Sequence, residues 1–202
     1  MFADGTTAME LLNAATARNP GKWRGHSLHT GFAARKIAEH AGLDPEKAWS
    51  LGLLHDIGRG RGVTGMRHII DGYNDMMAQG FDENAVICLT HSYPFREVDS
   101  YLGETDCTPA ELAMLDDFLQ HHTDDDYDRL IQLCDALALP DRICVAEQRM
   151  IDVALRHGLN EYSIPRWKIT LELKAYFEQK MGQDLYRMFG DDLFRNCFPG
   201  EG

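Results

Sequence analysis

The chain predicts an all-α fold, on three observations. Apolar residues recur at three- and four-residue spacing through most of its length, the mark of helices with one buried face. Strict alternation of apolar and polar residues, which would signal half-buried strands, is almost absent. Cap and breaker residues punctuate the periodic segments where helices should begin and end.

The elements follow in order. Thr6 or Thr7 is suited to cap a first helix running to about Ala17 and stopped by Asn19-Pro20-Gly21. Small and apolar residues at helical spacing define a second helix over 26–41, which ends before Gly42. Asp44-Pro45 supplies a cap with proline in the first helical position, so a third helix should run to about Asp56. The segment 58–65 holds four glycines and is expected to be loop at the rim of a site. It lacks both the lysine-hydroxyl ending and the preceding strand of a phosphate-binding loop. Further helices are expected over 66–79, 82–92, 109–122, 125–138, 142–157 and 164–181. In the last, Trp167, Ile169, Leu171 and Leu173 alternate like a strand. Its length and the spacing of Ile169, Leu173, Tyr176 and Phe177 favour helix.

Composition excludes several classes. Apolar residues make up 44% of the 202 positions and charged residues 26%, the profile of an ordinary globular protein. No run is long and apolar enough to span a membrane, and the start of the chain lacks a basic-then-apolar leader, so a cytoplasmic protein is expected. A formal charge of -12 opposes binding to a long nucleic-acid backbone. Small anions remain compatible, because bound cations and local arginines can reverse the potential of a pocket. The five cysteines are odd in number and show no Cys-x-x-Cys spacing, which disfavours a disulfide framework or a zinc ribbon. Cys88 and Cys134 lie in apolar helical contexts and read as inert core residues.

The chemistry-bearing residues are His26, the adjacent pair His55-Asp56 after the apolar run Leu51–Leu54, and then His68, His91 and Asp135. Imidazole and carboxylate donors without thiolate suit Fe, Mn, Co, Ni or Zn when positions are kept open for water and substrate. Four histidines and two aspartates exceed what one ion needs. His121-His122 beside the acidic run 124–126 reads as an exposed helix end next to a helix amino terminus. His40 and His157 precede glycines near helix ends and read as structural.

This ordered set, with His26-Ser27-Leu28 running into Ala33, Ala34, Ile37 and Ala38, with Leu53-Leu54-His55-Asp56-Ile57-Gly58, and with His68-Ile69-Ile70-Asp71-Gly72, resembles the HD superfamily of metal-dependent phosphohydrolases. The resemblance covers about 22–140. It implies an HD-domain helical bundle in a single domain over 1–202, with additional C-terminal helices over about 141–202. It also implies a dinuclear centre: His26, His55, Asp56 and Asp135 around a first divalent ion, and Asp56, His68 and His91 around a second, bridged by Asp56. Such ions lie about 3.5–4 Å apart. Fe, Mn, Zn, Co, Ni and Mg are not distinguished.

The implied reaction is hydrolysis of a phosphoester or phosphoanhydride of a nucleotide or other small phosphorylated metabolite, by a metal-activated water. Asp56 and Arg59 are the expected catalytic residues. Arg59 stands where many members of the family carry lysine, and its guanidinium suits bidentate phosphate binding. Arg61 is a weaker substrate-binding candidate. His29, one turn after His26, faces either the same pocket or the core. Ser92 follows His91 where some dinuclear relatives have a second histidine. Two alternatives share the ligand set: a mixed-valent diiron oxygenase and a non-catalytic metal-bound sensing module.

Overall fold

The computed structural model describes residues 1–200 and is an all-α bundle with one very short sheet; the last two positions of the expected C-terminal extension lie outside the described residues. Ten α-helices are present among the described residues: α1 Gly5–Arg18, α2 Trp23–Ala41, α3 Pro45–Leu54, α4 Arg67–Ala78, α5 Asp82–Thr90, α6 Pro109–His121, α7 Asp126–Asp135, α8 Ala146–His157, α9 Ser163–Met181 and α10 Leu185–Phe189. None is long and apolar enough to cross a membrane.

Local chemistry explains most boundaries. Asp44 caps α3 by accepting from the Glu46 and Lys47 amides, with Pro45 at the first position where a missing N–H costs nothing. Gly42 closes α2 in the left-handed conformation at φ 72°, which a residue without Cβ adopts cheaply. Thr108 and Glu111 form a reciprocal capping box on α6, and Asp125 and Asp128 form another on α7.

Four expectations are corrected. Asp4, rather than Thr6 or Thr7, caps α1, because its carboxylate accepts from the Thr7 amide. The glycine-rich segment is not wholly loop: Ile57–Arg61 forms a 3-10 turn whose glycines pack tightly against neighbouring backbone and small side chains. The helix after α7 begins at Ala146, not 142. Pro140-Asp141 turns a hairpin of β1 Ala138–Leu139 and β2 Arg142–Ile143, where proline is tolerated, and Ile143 also bridges to Leu193. Beyond α9, the short helix α10 and the turn Gly190–Asp192 were not foreseen.

α2 and α3 lie against each other with unusual intimacy, since a Cβ on Gly52 would fall 2.6 Å from the Gly31 Cα. The glycine pair therefore sets how closely the backbones bearing His26 and His55 approach. On the other side of α2, Ala34, Ile37, Leu130, Ile131, Phe177, Leu185 and Phe189 share one apolar cluster. That cluster ties the C-terminal helices to the motif-bearing ones. A second cluster joins Leu12 and Ala15 of α1 to Leu28, Leu53 and Cys88. The expected inert readings of Cys88 and Cys134 agree with their complete burial, which pushes both thiols far up.

Candidate metal centre

Each of the four histidines is anchored through one ring nitrogen to a backbone carbonyl, three of them to a carbonyl three residues earlier. His55 Nδ1 reaches Gly52 O at 2.7 Å, His68 Nδ1 reaches Gly65 O at 2.5 Å, and His91 Nδ1 lies 3.0 Å from Cys88 O. His26 Nδ1 lies 3.1 Å from Ala138 O on the hairpin. A carbonyl only accepts, so each Nδ1 carries the proton, and in a neutral ring Nε2 is left with a lone pair. This is the tautomer a metal-ligating histidine needs.

Those Nε2 atoms converge. The rings follow one another at centroid separations of 5.2 Å for His26 and His55, 5.0 Å for His55 and His91, and 5.7 Å for His91 and His68. Asp135 Oδ1, at the end of α7, stands 2.9 Å from His26 Nε2. Asp56 Oδ1 stands 3.0 Å from His68 Nε2 and 3.6 Å from His91 Nε2. Asp56 Oδ1 and His55 Nε2 are buried and have no hydrogen-bond partner. Lone pairs and carboxylate oxygens that close repel unless a cation, proton or metal, lies among them. Two overlapping groups, His26-His55-Asp135 and His55-Asp56-His91, each bring their donor atoms within 4.8 Å of one another. The donors fit a divalent ion.

Electrostatics prepares them. Burial pushes His91 down to about 3, with the charge of His55 adding to it, and burial likewise lowers His55. Both rings are therefore neutral near pH 7. Burial pushes the Asp56 carboxyl up, but Arg59, His68 and His55 outweigh it and hold it well below the usual range. Asp135 is likewise raised by burial and lowered further by His26 and Arg149. Neutral imidazoles with ionised carboxylates are the forms that bind metal.

Arg59 lies at the centre, not only at its edge. Its Nε donates to Asp56 Oδ2 at 2.7 Å, and one of its terminal nitrogens comes within 3.4 Å of His68 Nε2. The turn that carries it is held by close approach. A Cβ on Gly58 would sit 2.0 Å from the His68 carbonyl oxygen and 2.5 Å from the Gly72 nitrogen.

Two residues expected at the substrate lie elsewhere. His29 uses Nδ1 on Gly25 O at 2.8 Å, accepts the Cys197 amide on Nε2, and packs edge-on against Phe198; it belongs to the core. Arg61 points to the surface and pairs with Asp75. Neither lines the cleft above the centre. His122 is also more enclosed than an exposed helix end, because its Nε2 meets Asp128 Oδ2 at 2.9 Å and, with Asp124, forms a third cluster of possible donors. Asp128 is already engaged there by Thr90 Oγ1 and the Asp125 amide.

The cleft itself encloses about 1780 Å³, with His26, Asp56, Arg59, His91 and Asp135 in its lining. Much of its wall comes from the C-terminal part of the chain, through Arg142, Arg149, Val153, Arg156, Arg166 and Trp167. Sequence reasoning missed these residues. The spacing of Arg149 and Arg156, two turns apart on one helix, is a signal that could have found them; for Arg166 no local signal exists.

A helical bundle with clustered His and Asp donors beside a cleft defines an all-α protein with a candidate metal-binding site. The HD domain family model matches residues 23–139, more than half of the chain, and the protein belongs to that family. No curated protein and no solved structure gives a significant match to the chain.

Proposed function

We propose that the protein is a metal-dependent phosphohydrolase that cleaves a phosphoester or phosphoanhydride of a nucleotide or other small phosphorylated metabolite. The observation that carries this reading is the shared orientation of the four histidines. Each Nδ1 is tied to a carbonyl, and the Nε2 atoms face Asp56 and Asp135 at the base of a cleft with Arg59 beside them.

In this reading His26, His55, Asp56 and Asp135 hold one ion and Asp56, His68 and His91 a second. When bound, such ions supply Lewis acidity and an activated water. Asp56 stays ionised because Arg59 and the neighbouring imidazoles offset the cost of its burial. Arg59 keeps donors beyond the one it gives Asp56, and these suit a phosphoryl oxygen entering the cleft. Arg59 and Asp56 are the catalytic pair: the arginine orients and neutralises the phosphoryl group, while the carboxylate anchors the centre.

The test is release of inorganic phosphate from a panel of nucleotides and small phosphomonoesters under nitrogen, with protein reconstituted in turn with Mn²⁺, Zn²⁺ and Mg²⁺. Release that is abolished by Asp56→Ala or His55→Ala is expected. An intact panel together with O₂ consumption by the iron form and an organic substrate would replace this reading with the oxygenase one.

A further inference from the structure

Arg166, on the first turn of α9, lies outside the part of the chain that the family model matches. The other arginines on the C-terminal wall of the cleft have acidic partners. Arg142 pairs with Asp141 at 2.7 Å, Arg149 with Asp152 at 3.0 Å, and Arg156 with Asp152 at 2.8 Å. Arg166 has none among the described residues. Its guanidinium donates only to two backbone carbonyls, Ser92 O at 2.9 Å and Ser100 O at 2.6 Å, and its Nε is buried without a partner.

Two neighbouring hydroxyls share this condition. Tyr93 Oη and Ser100 Oγ are buried and have no hydrogen-bond partner. Arg166 Nε is thus an N–H without an acceptor, on a guanidinium that has no carboxylate within ion-pair distance among the described residues and that lines the cleft, which Tyr93 and Ser100 do not. Such a charge is costly to bury unless an anion comes to it. Burial accordingly pulls the Arg166 guanidinium below its usual range, opposed by Asp135 and the two tyrosines, Tyr93 and Tyr101. Arg166 also lines the same cleft as Arg59 and the metal centre.

We propose that Arg166 is a specificity-determining residue that binds a second anionic group on the substrate, remote from the phosphoryl group that reacts. The preferred substrates are then small organic phosphates that carry a further phosphate or a carboxylate, rather than simple monoesters. The proposal rests on the phosphohydrolase reading for the identity of the first group. The N–H donors that Arg166 does not give to Ser92 O and Ser100 O suit either second anion, since both present paired oxygens.

Calorimetry on the purified full chain separates the possibilities through two matched pairs of probes: glycerol 3-phosphate against 3-phosphoglycerate, and fructose 6-phosphate against fructose 1,6-bisphosphate. Wild-type protein should bind the second member of at least one pair about tenfold more tightly, as one charge-assisted contact provides. The pair that shows the preference tells whether the second group is carboxylate or phosphate. Arg166→Gln should bring the ratio close to one, and Arg166→Lys, which keeps the charge but loses the fork, should leave it partly intact. Thermal melting checks that each variant is folded. A wild-type ratio near one for both pairs, or an unchanged ratio in folded Arg166→Gln, overturns the proposal. Should Arg166→Gln not fold, an unchanged ratio in Arg166→Lys overturns it equally. Binding is read without turnover, so a preserved ratio with no phosphate release under any metal would remove the hydrolase reading and leave the anion site standing.

Discussion

Arg59 donates its Nε–H to Asp56 Oδ2 at 2.7 Å, while the other oxygen of the same carboxylate faces His68 and His91. The guanidinium thus supplies positive charge to a buried carboxylate at the point where divalent ions are proposed to bind. Arginine and metal are alternative partners for one anion, and their effects on stability should not add.

Arg59→Ala should therefore destabilise the metal-free protein by about 1–3 kcal/mol, the cost of leaving a buried charged acceptor short of a donor. Added divalent metal should remove most of that deficit. Urea unfolding with chelator and with Mn²⁺ measures both values. An equal loss in the two conditions would mean that the ion pair is structural and independent of metal binding.

Asp56 contacts more of the centre than any other proposed ligand, through His68, His91 and Arg59. Asp56→Ala should lose most bound metal after reconstitution, whereas His68→Ala should retain the ion held by His26, His55 and Asp135. Metal analysis of the desalted variants decides this, and equal retention in both would end the proposed division of ligands.

The pH dependence follows from the depressed histidines. His91 is pushed down to about 3 by burial and His55 is lowered by the same cause, whereas an unfolded histidine titrates near 6.5. Below that value the unfolded chain takes up protons that the folded one refuses, so stability falls as pH drops from about 6.5 towards 3 and is unaffected above it. The slope from His91 should reach about 1.4 kcal/mol per pH unit, and His55 acts in the same direction. Denaturant unfolding of metal-free protein at pH 7.5, 6.5 and 5.5 tests the sign; a midpoint that rises on acidification contradicts it.

Gly58→Ala should cost about 1–3 kcal/mol or more by overpacking, because the new Cβ meets backbone atoms that have no freedom to yield. The backbone it strikes belongs to His68, so the affinity for metal should drop as well. His29→Ala provides the contrast: it removes a core contact with Phe198 and the Cys197 amide and should lower the melting temperature while leaving metal content unchanged. Loss of metal in His29→Ala would return that residue to the site.

Much of this protein is determined by sequence alone. Helical periodicity, Asp44-Pro45 and Gly42 specify where α2 and α3 run, because caps and backbone preferences act over a few residues. The resemblance of His26, His55-Asp56, His68, His91 and Asp135 to the HD motifs marks out six residues among the chain's nine histidines and 32 acidic residues, and the structure brings these six to one place. Tertiary structure alone decided the remainder. Which His29 nitrogen is used, and that Arg61 turns to Asp75 while Arg59 turns to Asp56, depend on partners distant in the chain or on the direction a 3-10 turn gives its side chains. The hairpin at Pro140 takes Leu193, distant in the chain, beside its Ile143. Arg166 is one arginine among many until α9 packs across the bundle and sets it, without a carboxylate, at the wall of the cleft that holds His91 and Asp135. Local rules cannot show this, because the energy of a buried charge depends on everything packed around it.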